Sequence, residues 1–202
     1  MEWKNKFHDE YCADEVEKMI LDEIKAGFLS DDEILEECEE YIEDDYPEDC
    51  DSIPEDDFLE IIKTLRSTYG NTGSQENFKK LNDAFNALMN RGIVALHYAG
   101  YTQSDGFAEC AEAGADLEAQ GKNVIGCCFY TEQDLGHILH EDSTQLYLSF
   151  GAYLDKPTTI EVGQMITEEL KNVGFDVQWN QTAETKAAIK NLIWDKYYTD
   201  RE

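Results

Sequence analysis

The sequence predicts an α/β protein: a mixed, mainly parallel sheet of four to five strands with helices, preceded by an acidic all-α segment. Three observations predict it. The first 70 residues carry highly charged amphipathic patterns of helical period. Beyond residue 90, short apolar runs rich in β-branched residues alternate with helical patterns. Between the two regimes stands GNTGS at 70–74, the clearest break in the chain. Strands that alternate with helices argue for a sheet covered by helices, and a break rich in Gly and Ser marks a loop.

The helical segment reads as three elements. Val16, Met19, Ile20 and Ile24 fall on one stripe at the spacing of a buried face, and Gly27 stops that helix. Ser30 and Glu33 form a capping box for a second helix with Ile34, Leu35, Cys38, Tyr41 and Ile42 inward. Pro47 closes it. Pro54 opens a third helix, where a missing N–H costs nothing, and Phe58, Ile61, Ile62 and Leu65 form its stripe. Ser74 can cap a fourth, with Phe78, Leu81, Phe85 and Leu88 inward.

The α/β part follows. Ile93–Tyr98 reads as a strand and Asp105–Gln120 as an Ala-rich helix capped by Ser104. Asn123–Tyr130 is a second strand. Thr131–His140 is a short helix with Thr131 as N-cap and Asp134 reaching back to it. Gln145–Tyr153 is a third strand. Thr158–Val173 is a helix with Ile160, Ile166, Leu170 and Val173 inward, stopped at Gly174. Phe175–Trp179 is a fourth strand, and Ala188–Trp194 fits either a fifth strand or a last helix. The division expected is 1–70 for the acidic helices and 74–202 for the α/β domain.

Composition narrows the function classes. At 42% hydrophobic residues a real core is expected. No run of about 18 apolar residues exists to span a membrane, and the start MEWKNKFHDE lacks the apolar region of a secretory signal. The expectation is a soluble, cytoplasmic protein. The net charge is −29, unevenly spread. Residues 1–60 hold 25 Asp/Glu against 4 Lys/Arg, or −21; residues 61–202 hold 20 against 12, or −8. Such a surface repels phosphate backbones and attracts a basic protein partner. The six cysteines make no C-x-x-C pair and no zinc-like spacing, so they read as small buried hydrophobes in a reducing compartment.

The stretch GIVALHYAGYTQSDG at 92–106 runs from apolar strand into polar loop, as do VIGCCFYTEQD at 124–134 and LYLSFGAY at 146–153. With three parallel strands, all three loops would meet in one crevice at the carboxyl ends of the strands. There Asp105 and His97 are the candidate catalytic groups, Asp105 as base. Tyr101, Gln103, Tyr130, Gln133 and Asp134 are the ligand-binding candidates. Glu132 and Asp134 also suit the first turn of a helix, where carboxylates complement the dipole. His137 and His140, three apart beside Glu141, could bind a metal, but histidines in a last helical turn need no metal to explain them, and no metal or cofactor is expected. Neither G-x-S-x-G, nor a phosphate loop, nor G-x-G-x-x-G is present.

From Leu81 to Trp194 the blocks LNDAFNALMNRGIVA, FYTEQD, LYLSFGAY and VGQMITEEL followed by NVGFDVQW resemble a family of uncharacterised bacterial proteins, a domain of unknown function. The order and spacing of these blocks carry the resemblance. It implies an intracellular bacterial protein with an α/β domain and lends no activity, cofactor or catalytic residue. Where members of that family carry cysteines in the loop after GIVA, this chain has Tyr98-Ala99-Gly100-Tyr101-Thr102-Gln103-Ser104-Asp105, so no cysteine-based metal or redox role passes to it from the family.

Two functions compete. One is a binding or interaction module whose acidic surface docks a basic partner. The other is a small-ligand binder or hydrolase/transferase-type enzyme that uses the strand-end crevice around Asp105.

Overall fold

The computed structural model describes residues 2–140 and 142–199. The chain divides into two compact units, one formed by residues up to 75 with the segment from Asp195, the other by Glu76–Trp194.

The first unit is helical. It contains α1 (Glu10–Ala26), α2 (Asp31–Asp45) and α3 (Glu55–Tyr69), with 3-10 turns at Glu2–Lys6 and Pro47–Asp49. Each helix starts as its sequence dictates. Asp9 accepts from the Tyr11 and Cys12 amides at 2.8 and 3.4 Å. At α2, Ser30 Oγ accepts from Glu33 N while Ser30 N donates to the Glu33 carboxylate, closing the capping box. The stripes Val16–Ile20–Ile24, Ile34–Leu35–Ile42 and Phe58–Ile62–Leu65 are buried together as one core. Met19, Tyr41 and Ile61 are half-buried at its margin. The segment from Asp195 belongs to this unit: Asn71 Nδ2 donates to Lys25 O and Lys196 O, and Tyr197 N donates to Gln75 Oε1. The Lys196 ammonium lies 4.7 Å over the Phe28 ring.

The second unit is α/β. It runs α4 (Glu76–Asn90), β1 (Ile93–Leu96), α5 (Gln103–Ala119), β2 (Gly126–Phe129), α6 (Glu132–Leu139), β3 (Leu146–Ala152), α7 (Thr159–Asn172), β4 (Val177–Gln178) and β5 (Ala187–Ile189). The sheet order is β1-β2-β3-β5-β4. α4 and α7 pack on each other, α4 against β1 and α7 against β3. α5 packs against β1 and β2 through Val94, Cys110, Cys127 and Phe129.

The sheet is mixed, as expected, but not mainly parallel. Only β1 and β2 are parallel; β2–β3, β3–β5 and β5–β4 are antiparallel. The connecting helices differ in the same sense. α5, with 17 residues, rises about 25 Å and returns the chain to the far edge of the sheet. α6, with 8 residues, rises only about 12 Å, roughly half the reach of the seven-residue β3, and the chain re-enters the sheet from the edge it left.

Three local expectations also change. The cap of α5 is Thr102, with Asp105 at the third helical position, and Ser104 lies exposed within the helix. In α7 the buried residues are Val162, Gly163, Ile166 and Leu170, while Ile160 is 41% exposed. Ala187–Ile189 settles the last element as a strand, followed by irregular chain.

Candidate functional site

Because β1 and β2 are parallel, the loops that follow them share one edge of the sheet. The two loops are tied together: Ala99 N donates to Tyr130 O at 2.9 Å and Glu132 N donates to Gly100 O at 3.1 Å. Gly100 takes φ +59, which a residue without Cβ adopts freely. The GAY turn at 151–153 does not join them. β3 runs antiparallel to β2, and Gly126 pairs with Ala152, so this turn lies at the opposite edge. Of the three loops expected to converge, two do.

Both loops end in the same device. Thr102 and Thr131 are N-caps, and Asp105 and Asp134 reach back to them. Asp105 accepts from Thr102 N at 2.8 Å and Thr102 Oγ1 at 2.7 Å, and these donors hold its carboxyl below the usual range. It is exposed and kept ionised by its own cap. Asp134 is buried; its two oxygens accept from Thr131 and from Lys186 Nζ, the latter at 2.8 Å each.

The other sequence candidates divide between interior and surface. His97 is half-buried, stacked on Phe85 at 4.3 Å and 11°. Its Nδ1 lies 3.1 Å from Tyr130 Oη and its Nε2 3.3 Å from Asn82 Oδ1. The Asn82 oxygen accepts from an Nε2–H, and a neutral His97 with that tautomer accepts at Nδ1 from the Tyr130 hydroxyl. Tyr130 is fully buried, and that burial pushes its phenol well up. Tyr101, Gln103 and Gln133 lie on the exposed surface. The edge thus separates the named residues into an inner group, His97, Tyr130 and Asp134, and an outer group, Tyr101, Gln103, Gln133 and Asp105. Among the described residues no three of His, Cys, Asp and Glu are placed to hold a metal ion. His137 is exposed in the last turn of α6, His140 is its C-cap, and Glu141 lies outside the described residues.

Glu132 and Glu109 add a strained feature to this edge. Burial, then the Glu109 and Asp105 carboxylates, push the half-buried Glu132 up. Burial, then Asp105 and Glu112, push Glu109 up, opposed by a hydrogen bond from the Gly100 backbone. A carboxyl raised on folding binds more protons in the native state, so its contribution to stability falls as pH rises through the native pKa. Glu132→Gln is therefore expected to raise the melting temperature near about pH 7, with the gain vanishing below the ordinary value of 4.5, where both states are protonated. Melting curves at both pH values test this; a variant no more stable than wild type near neutrality would refute it.

The helical unit carries a second candidate site that the sequence did not single out residue by residue. A groove of about 240 Å³ has a floor of Phe7, Ile42, Ile53 and Phe58 and a rim that includes Glu39, Glu43 and Asp49. No Lys or Arg lines it. Asp49 is buried and structural, accepting from His8 N, His8 Nδ1, Asp9 N and Ser52 Oγ. Burial works against its charged form, but these donors prevail and hold it below the usual range. Glu39 is pushed up by burial and by the nearby Glu55 and Glu36 carboxylates. Outside the groove α2 exposes Asp32, Glu33, Glu36, Glu37, Glu40, Asp44 and Asp45 and carries no Lys or Arg. Glu43, Asp44 and Asp45 stand at its C-terminal end, where the helix dipole opposes negative charge. The net acidity of the N-terminal segment was visible in the sequence; the apolar floor beside it needed the packing of three separated segments.

The sequence profile of a family described as Domain of unknown function (DUF6891) matches residues 9–198. No curated protein and no solved structure matches the chain. No helix among the described residues is long and apolar enough to cross a membrane.

Proposed function

We propose that this chain, which belongs to that family, is an interaction module that docks a basic, amphipathic segment of a partner protein on its helical unit. One observation carries the reading: the apolar-floored groove bounded by Glu39 and Glu43 opens beside a helix face of carboxylates with no cation among them. Like charges crowded at Glu36, Glu39 and Glu55, and acids at the wrong end of a helix, cost stability in the free protein. A Lys/Arg-bearing helix would relieve both and lay its apolar face on Phe7, Ile42 and Phe58. The reading built on Asp105 has less support, since its carboxylate is engaged by Thr102.

A labelled peptide of alternating Leu and Lys at helical spacing, with a sequence-scrambled control, tests this by fluorescence anisotropy. Tight binding at low salt is expected, weakened by added salt and abolished by Glu39→Lys with Glu43→Lys. Reversal of Glu118 and Glu161, exposed on the α/β unit, should leave it unchanged. Equal loss from either pair, or equal binding of the scrambled peptide, would reduce the effect to bulk charge and sink the proposal.

A further inference from the structure

The α/β unit carries a groove along its β4 edge. β4 ends the sheet order and pairs with β5 alone among the described strands, and α7 packs against it. Gln164, Thr167, Glu168 and Lys171 recur at helical spacing on one face of α7. Val177 of β4 and Trp179 just after it face that row, and Gln181 completes the lining. The groove encloses about 510 Å³, within the span of about 300–1,000 Å³ usual for small-molecule sites.

The Trp179 ring is fixed in place. Its Nε1 donates to the Thr182 and Thr185 carbonyl oxygens at 3.1 and 3.2 Å. Gly163 on α7 makes room for the ring, since a Cβ there would stand 2.6 Å from Cη2 and 2.7 Å from Cζ2. Phe150 meets it edge to face at 5.4 Å and 87°. With its one donor already used, the indole offers the groove π surface only. The next turn is tied as firmly: Asn180 Oδ1 accepts from Thr182 N, Thr182 Oγ1 and Thr185 Oγ1. Within this turn Gln181 takes φ +64, a left-handed backbone that costs a residue with a Cβ free energy. The exposed side chains of Gln164, Lys171 and Gln181 make no hydrogen bond or ion pair among the described residues.

Charge and strand length narrow what fits. Glu168 accepts from Arg91 Nη1 at 3.0 Å, and Lys171 stands three residues on, so neither sign prevails in the groove. A phosphate would meet Glu168, and a basic segment would meet Lys171. An added peptide strand would find a β4 of only two residues to pair with, too short for a ladder. A fixed aromatic surface ringed by amides suits a ligand with one face of C–H bonds and a rim of hydroxyls.

We propose that this groove binds a neutral saccharide, one pyranose ring lying on Trp179 with its hydroxyls hydrogen-bonded by Gln164, Gln181 and Lys171. The C–H bonds of a pyranose face present partial positive charge to the negative face of the indole. Each amide both donates and accepts, as neighbouring hydroxyls require. The site lies wholly within the α/β unit and is independent of any partner on the helical unit.

The test titrates the full chain with methyl β-glucoside, methyl β-galactoside, N-acetylglucosamine, cellobiose and lactose, followed by proton–nitrogen correlation spectra. At least one of these sugars should shift the Trp179 indole N–H saturably, and added salt should not weaken the effect. Gln164→Ala and Gln181→Ala should each weaken binding about three- to tenfold at an unchanged melting temperature. Gln120→Ala, exposed at the end of α5, should leave it as in wild type. Tighter binding of the disaccharides would identify the end of a longer glycan as the ligand; tighter binding of the single-ring sugars would identify a free sugar. No saturable shift with any of the five, binding indifferent to both glutamine substitutions, or glucuronate binding more tightly than every neutral sugar would overturn the proposal.

Discussion

Gly106→Ala is expected to lower the melting temperature by roughly 6–12 °C, the equivalent of about 3 kcal/mol. Helix propensity alone argues the other way, since Ala in a helix interior is better than Gly by about 1 kcal/mol. Sterics decide the outcome. A Cβ at Gly106 would stand 2.5 Å from Phe129 Cδ2, closer still to Cε2, and 2.8 Å from the Ala99 carbonyl oxygen. Ala99 is pinned to Tyr130 by its amide, and Phe129 is buried with its ring edge against Phe107 at 4.9 Å. Neither neighbour has room to retreat without opening the joint between the two strand-end loops. Circular dichroism melts measure the effect; a midpoint equal to or above that of wild type would show that the helix shifts at little cost.

The second large effect is expected at Asp134. Asp134→Ala removes both the reciprocal half of the α6 capping box and the partner of Lys186 from a site where the carboxylate is 8% exposed. The box contact is worth about 1 kcal/mol and the stranded partner more, for a total of about 3 kcal/mol. Lys186 is 29% exposed and can turn toward water, which keeps the loss from the upper end for buried pairs. Lys186→Met should cost less than Asp134→Ala, because Asp134 keeps its Thr131 donors. Urea titrations of the two single variants and the double variant give the coupling; additive losses would show that the ion pair contributes nothing.

These two positions show how far the sequence could be read. T-x-x-D occurs twice, at 102–105 and 131–134, and both are capping boxes. The second is legible from the sequence. At the first, Ser104 competes for the cap, although it has Phe107 where a box requires an acid or amide. What the pattern cannot express is burial, and burial separates an exposed Asp105 from an Asp134 sealed under Lys186. The same holds for Ile160 in α7: it satisfies an apolar stripe, but the face that meets the sheet is set by Gly163, against which Trp179 and Phe150 lie. Strand direction was not legible because the connection 130–145 is long enough for either sense. The groove was not legible because Phe7, Ile42 and Phe58 are brought together only by tertiary packing. The three acidic helices and their buried stripes were legible, since every one follows the 3.6-residue period.

The membership of Lys196 and Tyr197 in the helical unit bears on how the chain matures during synthesis. Asn71 and Lys196, joined by a hydrogen bond, are 125 residues apart. At a ribosomal pace of about 5–20 residues per second, the bond must wait roughly 6–25 s after Asn71 is made. The helical unit, most of it made before the α/β unit, is therefore completed only after that unit has been synthesised, and Gly27, whose Cα faces the backbone of Lys196 and Tyr197, spends that interval without its native neighbour.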